Sequence, residues 1–166
     1  AIPSRWTKGF GAMSGKINER LKSLGVTLPP APKPVANYVP YVVTGNLVFI
    51  SGQVSAAGDE KYIGKVGVEV DVAVAQKAAR ACGLAILAQL NAALGGDLDR
   101  VKRCVKLGGF VNCSQDFDQM PAVINGASDL MAEVFGEAGA HARFAVGAPN
   151  LPFNFSVEVD AIFEIA

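Results

Sequence analysis

The strongest pattern along the chain is a three- and four-residue recurrence of apolar side chains late in the sequence. Met120, Val123, Ile124, Ala127, Leu130, Met131, Val134 and Phe135 fall on one helical face, and Gly136 follows them. A longer segment repeats that spacing with smaller residues: Ala75, Ala78, Ala79, Cys82 and Ala85 lie between Asp71, a good N-cap, and the stop Gly95-Gly96. The spacing predicts a helix from Asp71 to Leu94 whose alanine face lies close against a sheet. Met13, Ile17, Leu21 and Leu24, with Ser14 near the start and Gly25 just past the end, predict a shorter amphipathic helix. Pro29 to Pro34 then reads PPAPKP, an extended arm.

Elsewhere the period is two. Tyr41 to Thr44 and Leu47 to Ser51 flank Gly45-Asn46, a two-residue loop suited to a primed hairpin turn, and Ser51-Gly52-Gln53 closes the second strand. Gly58 to Gly67 reads as a polar loop and Val101 to Val111 as a third strand. Two final strands, His141 to Ala148 and Phe155 to Ile165, are joined by a turn over Pro149 to Asn154. In the last, Phe155, Val157, Val159, Ala161, Phe163 and Ile165 alternate with Ser156, Glu158, Asp160, Ile162 and Glu164, so one face is buried and the other carries carboxylates. Residues 1–12 show no period and are expected to be a disordered extension, 13–34 a helix and arm, and 35–166 one domain. The order ββαβαββ predicts an α+β fold, a mixed or mainly antiparallel sheet with two helices on one face. The other face is expected to bring Arg143, Ala145 and Gly147 beside Glu158, Asp160 and Ile162, under neighbouring subunits.

Composition narrows the chemistry. The 166 residues carry 15 Lys plus Arg against 15 Asp plus Glu, so no basic footprint for nucleic acid or an anionic membrane is present. One histidine excludes a multi-histidine metal centre, and a Ser-His-Asp triad could use only His141. Three scattered cysteines, Cys82, Cys104 and Cys113, argue against a disulfide framework and for a reducing, cytoplasmic compartment. The richest apolar stretch, Val72 to Leu94, is broken by Gln76, Lys77, Arg80, Gln89 and Asn91, so no membrane span is expected. The beginning lacks a secretory pattern. At 51% hydrophobic, 18% charged and a mean hydropathy of +0.31, part of the surface is expected to be covered by copies of the chain.

Arg143 stands between Ala142 and Phe144 on a strand, where a guanidinium needs an anion. Spacing leaves two partners open: Glu158, in a structural ion pair, or the carboxylate of a ligand gripped by the planar fork. His141 shares the face of Arg143 and reads as structural. The cysteines read as core fillers, and Lys102, Arg103 and Lys106 as a solvated patch. Gly64-Lys65-Val66-Gly67 lacks phosphate-loop spacing.

Ala142-Arg143-Phe144-Ala145-Val146, then Leu151-Pro152 and Val157-Glu158-Val159-Asp160-Ala161, resembles the C-terminal signature of the RidA/YjgF imine deaminase family. Ser51-Gly52-Gln53 resembles its N-terminal signature, and Val123-Ile124-Asn125 matches a third position, so the likeness runs from Val35 to Ile165. It implies a chorismate-mutase-like α+β fold and a homotrimer with clefts between subunits. It further implies hydrolysis of 2-imino acids, of the 2-aminoacrylate and 2-iminobutanoate type, to 2-oxo acids and ammonia, with no cofactor and no metal. On that likeness Arg143 clamps the substrate carboxylate and Glu158 holds or activates water. Tyr41, Ser51 and Asn125 line the cleft, and the backbones of Gly52 and Ala145 bond the ligand. The partners so implied are small 2-imino or 2-oxo carboxylic acids, with neither nucleic acid nor membrane. The chain departs from the family at Ala145, where active members often carry cysteine, at the bulky Phe144, and at a short insertion over Asp118 to Pro121, which marks a divergent branch. Two other functions stay in view: a non-catalytic trimer that binds small carboxylates and modulates a partner, and, more weakly, a ribonuclease.

Overall fold

A computed structural model describes residues 15–166, so the expected extension, Met13 and Ser14 lie outside it. In chain order the elements are α1 (Lys16–Ser23), β1 (Tyr41–Thr44), β2 (Leu47–Val54), β3 (Ala56–Ala57), β4 (Glu60–Lys61), α2 (Val72–Ala93), β5 (Val101–Asn112), α3 (Met120–Phe135), β6 (Ala142–Ala148) and β7 (Val157–Ile165). The long helices start and stop where their signals lie. The Asp71 carboxylate accepts from the Val74 N–H at 2.9 Å, and Gly95 takes φ 62° just past α2. Ala75, Ala78, Ala79 and Cys82 are all fully buried, which lets α2 pack closely on the sheet and on α3.

The start of α1 is capped from far away in sequence. Both carboxylate oxygens of Asp99 accept backbone N–H groups, from Lys16 and Ile17, each at 2.9 Å. Leu21 sinks into the core, and the Arg20 guanidinium bonds the Glu133 carbonyl on α3 at 3.0 Å. The helix is therefore part of the same packing unit as the sheet.

The main sheet runs β1-β2-β7-β5-β6. This corrects the expected hairpin of the last two strands. β6 pairs in parallel with β5, across the crossover of α3, and β7 inserts antiparallel between β2 and β5. The two long helices lie on one face, as expected. Where a polar loop was expected after β2, β3 and β4 form a two-stranded hairpin around Gly58.

Register decides which side chains share a face. Leu107 lies opposite both Arg143 and Ala161, and Leu107 and Ala161 are buried under the helices. Phe110 lies opposite both Val146 and Glu158, on the other face. Arg143 and Glu158 thus stand on opposite faces of the sheet, with β5 between their strands. The expected shared face does not form, and neither does an Arg143–Glu158 ion pair: among the described residues the single ion pair is Arg80–Glu133. A register shift between Cys104 and Lys106 lets Cys104 and Leu107, three residues apart, both face the core. The alternation of β7 holds from Val157 onward but fails before it. Ser156 is fully buried and its hydroxyl donates to the Gly64 carbonyl at 2.8 Å.

The open face carries Val42, Phe49, Phe110 and Val146, all partly exposed, with Phe144 edge-on to Phe110 at 5.2 Å and the Lys106 ammonium 5.5 Å above the Phe144 ring. Among the described residues no helix is long and apolar enough to cross a membrane. The tightest point between α2 and α3 is Gly126, where an added β-carbon would stand 2.0 Å from the Gln76 carbonyl oxygen. Gly126→Ala should therefore lower the unfolding free energy by about 1–3 kcal/mol, read by denaturant titration.

Candidate active site

The β2–β7 ladder breaks between Ile50 and Gln53. Ile50 pairs with Ala161 and Gln53 with Val159, so β2 carries one residue more than its partner. The extra length falls at Ser51-Gly52 and turns both toward a cavity of about 660 Å³. Ser51 anchors the preceding segment: its N–H donates to the Pro40 carbonyl at 3.0 Å and its hydroxyl to the Val39 carbonyl at 2.7 Å.

Glu158 enters the cavity from β7. A β-carbon on Gly52 would lie 2.4 Å from its Oε2, so only glycine leaves room for the carboxylate here. Among the described residues, no side chain hydrogen-bonds or ion-pairs with Glu158. Burial pushes its carboxyl above the usual 4.5, and the nearby Asp160 charge adds to the rise. A half-buried carboxylate with a raised pKa and an unoccupied lone-pair field is suited to accept a proton from a bound water. Beside it, Gln53 donates to the Ser51 carbonyl at 2.9 Å. The buried Gln89 reaches Gln53 Oε1 at 3.4 Å and the Pro32 carbonyl at 2.6 Å. These amides tie the proline-rich arm to the bulge.

Arg143 lies elsewhere, on edge strand β6 under α3. Its Nη1 donates to Ser128 Oγ at 3.0 Å and its Nη2 to the Pro121 carbonyl at 3.2 Å. Pro121, Asn125 and Ser128 recur at helical spacing on α3, and Asn125 is exposed. His141 Nδ1 is 2.6 Å from the Gly139 carbonyl, which only accepts; Nε2, 2.8 Å from Ser128 Oγ, is then the acceptor of the serine hydroxyl. Ser128 can thus donate to His141 while accepting from Arg143. The guanidinium is oriented by neutral groups, and its charge remains available to an anion.

Of the residues expected in one cleft, Ser51, Gly52 and Glu158 meet at the cavity, while Arg143 lies at the β6–α3 edge, bonded to α3, the helix that carries the exposed Asn125. Ala145 lies opposite Gly109 on the face of Arg143 and packs against the core. Tyr41 lies opposite the buried Ile50 and also packs against the core; Tyr38 lines the cavity instead. Gln89 and Phe153 at the cavity and Ser128 at the edge were not singled out by sequence. Gln89, a polar residue in an otherwise apolar helical turn, carried a signal. The cysteines are buried: burial holds the Cys82 thiol well above its usual 9.0 and pushes Cys104 up to about 12, and Cys113 is raised by the same cause.

The fold agrees with what the chain resembles among known proteins. The family described as "YjgF/chorismate_mutase-like, putative endoribonuclease" matches residues 18–165, and this chain belongs to that RidA/YjgF family. The match begins inside α1, earlier than the signature segments. The protein TCP17 of Trypanosoma cruzi is 49% identical over 92% of this chain and 96% of its own. The crystal structure of Atu1372 from Agrobacterium tumefaciens, of unknown function, is 52% identical, covers 96% of this chain and 99% of its own, and superposes with a TM-score of 0.86. More distantly, a 2-iminobutanoate/2-iminopropanoate deaminase of Dermatophagoides farinae is 28% identical over 84% of this chain and 94% of its own.

Gly52→Ala separates stability from site geometry. The methyl meets only the mobile end of the Glu158 side chain, so the unfolding free energy should change by less than about 1 kcal/mol. Glu158 must swing away, and whatever activity the cavity supports should fall at least about tenfold.

Proposed function

We propose that the chain hydrolyses 2-imino acids to 2-oxo acids and ammonia, in clefts completed between subunits of a homotrimer. The observation that carries this reading is the separation of an unpaired, half-buried carboxylate in a cavity from an anion-ready guanidinium on the far edge of the same sheet. A partner's edge strand brought to the cavity mouth would set the two facing each other, with substrate between. The partly exposed apolar side chains on the open sheet face supply the surface for such an assembly. The distant deaminase relative supports the reaction class, which rests on the chemistry of the assembled groups.

In this scheme Arg143 of one subunit grips the substrate carboxylate through its fork. The imine carbon then faces a water held by Glu158 of the next. Glu158 takes one proton as the water oxygen bonds to carbon and passes it to the imine nitrogen. It then relays the hydroxyl proton of the resulting aminoalcohol to that nitrogen as the C–N bond breaks, so 2-oxo acid and ammonia leave and Glu158 returns to its starting state. Water addition to an electrophilic imine needs orientation and proton handling, which these residues offer.

Imines generated in situ should be converted to 2-oxo acid faster than in buffer. Arg143→Lys, which keeps the charge but loses the bidentate fork, should lower kcat/KM at least about tenfold. Binding of 2-oxo acids without turnover would favour a carboxylate-binding trimer. Arg143→Ala and Glu158→Gln should each be inactive, yet refolding the two together should restore about one quarter of the wild-type rate, because mixed subunits reassemble intact clefts by chance. No recovery on mixing would place both groups in one chain and overturn the shared cleft. Because the base must be ionised and its pKa is raised, activity should fall as pH drops through a value above 4.5, read from the acid limb of kcat/KM against pH.

A further inference from the structure

We infer that the cavity beside Glu158 is a side-chain pocket selecting 2-imino and 2-oxo acids with a large apolar substituent, branched or aromatic, over short-chain ones; this rests on the deaminase reading for the acid headgroup. The cavity measures about 660 Å³. That falls within the roughly 300–1,000 Å³ of pockets that enclose drug-sized ligands, far beyond the needs of a three- or four-carbon acid. Its polarity is divided. Its polar lining is Ser51, Glu158, Gln53, Gln89 and Lys33, while Val35, Pro34, Tyr38, Pro40, Phe153 and Phe155 give it a large apolar lining. Val35 and Tyr38 are 80% and 48% exposed, so this surface is unfilled within the protomer.

Phe153 is the most informative of these residues. It is 75% exposed and sits at φ 53°, ψ 24°, a left-handed conformation that a bulky side chain rarely adopts, followed by Asn154 at φ 60°. The surroundings enforce it. Asn112 Nδ2 donates to Asn154 Oδ1 at 3.0 Å and to the Phe155 carbonyl at 3.1 Å, while Lys65 Nζ donates to Asn112 Oδ1 at 2.7 Å and the Gly64 N–H to the Asn154 carbonyl at 2.8 Å. The fold holds a strained backbone that presents an aromatic ring at the rim of a cavity, where the ring gains burial only when something apolar lies against it. Another part of the lining is equally fixed: the Gln89 amide pins the arm at Pro32, and prolines lose little freedom on binding. A short-chain acid would reach the polar lining and leave this apolar surface wet.

The test compares imines formed in situ by an amino acid oxidase from alanine, leucine and phenylalanine. The expected result is a kcat/KM at least about tenfold higher for the leucine and phenylalanine products than for the alanine product. Phe153→Gly, which removes the ring and relieves the left-handed strain together, should narrow that preference at least about fivefold without lowering the melting temperature. Equal rates across the three substrates, or a preference unchanged by Phe153→Gly, would overturn the proposal. So would a change of oligomeric state in the variant, which would make Phe153 a subunit contact. If no imine is turned over, the deaminase reading fails by itself, and calorimetry with phenylpyruvate against pyruvate still decides the pocket: tighter binding of phenylpyruvate supports it and equal binding overturns it.

Discussion

The close approach of the Glu158 carboxylate to the backbone at Gly52 is the constraint on which the site depends. A carboxylate moved half out of water, in no ion pair among the described residues, is held at a free-energy penalty, visible as its raised pKa. The chain meets this penalty with local architecture. β7 inserts between β2 and β5, which aims Glu158 across β2; an extra residue in β2 swings Ser51 and Gly52 outward; and the absent side chain at Gly52 gives the oxygens their space. Each step needs the previous one. With a hairpin of the last two strands, the carboxylate would point at no bulge at all.

The same topology sends Arg143 away. Parallel pairing with β5 places it on the helix-side face, where Ser128 and the Pro121 carbonyl hold the guanidinium and no described residue forms an ion pair with it. Two charged groups of opposite sign, each poised and neither neutralised, are a costly arrangement for a solitary protomer and a sensible one for an assembly. The open sheet face, with Phe49, Phe110 and Val146 partly exposed beside Glu158, makes the same point in apolar terms.

Local sequence signals carried most of the fold. Helical periodicity, the Asp71 cap, the Gly45-Asn46 turn and the glycine stops set the elements to within a few residues, because each rests on neighbours close in sequence. Pairing order was not legible. A six-residue link between two strands suggested a hairpin, while the observed arrangement depends on which edges β5 and β2 leave free, a global property. The alternation of β7 put Glu158 on the correct side of its own strand, yet no periodicity says which face β6 shares with it. Ser51, Gly52 and Glu158 were therefore found by their motifs, while Tyr38 and Phe153 escaped notice. Their roles come from loop conformation: Tyr38 lies in a coil, and Phe153 reaches the rim through a left-handed turn fixed by Asn112, whose side chain bonds Asn154, 42 residues away in sequence.

The three cysteines carry a consequence of their own. Electrophilic carbon alkylates sulfur chiefly through the thiolate, and each thiol here is buried with its pKa raised, Cys82 on the alanine-lined inner face of α2 itself. Under the proposed deamination, that burial keeps the thiols out of reach of a reactive imine substrate.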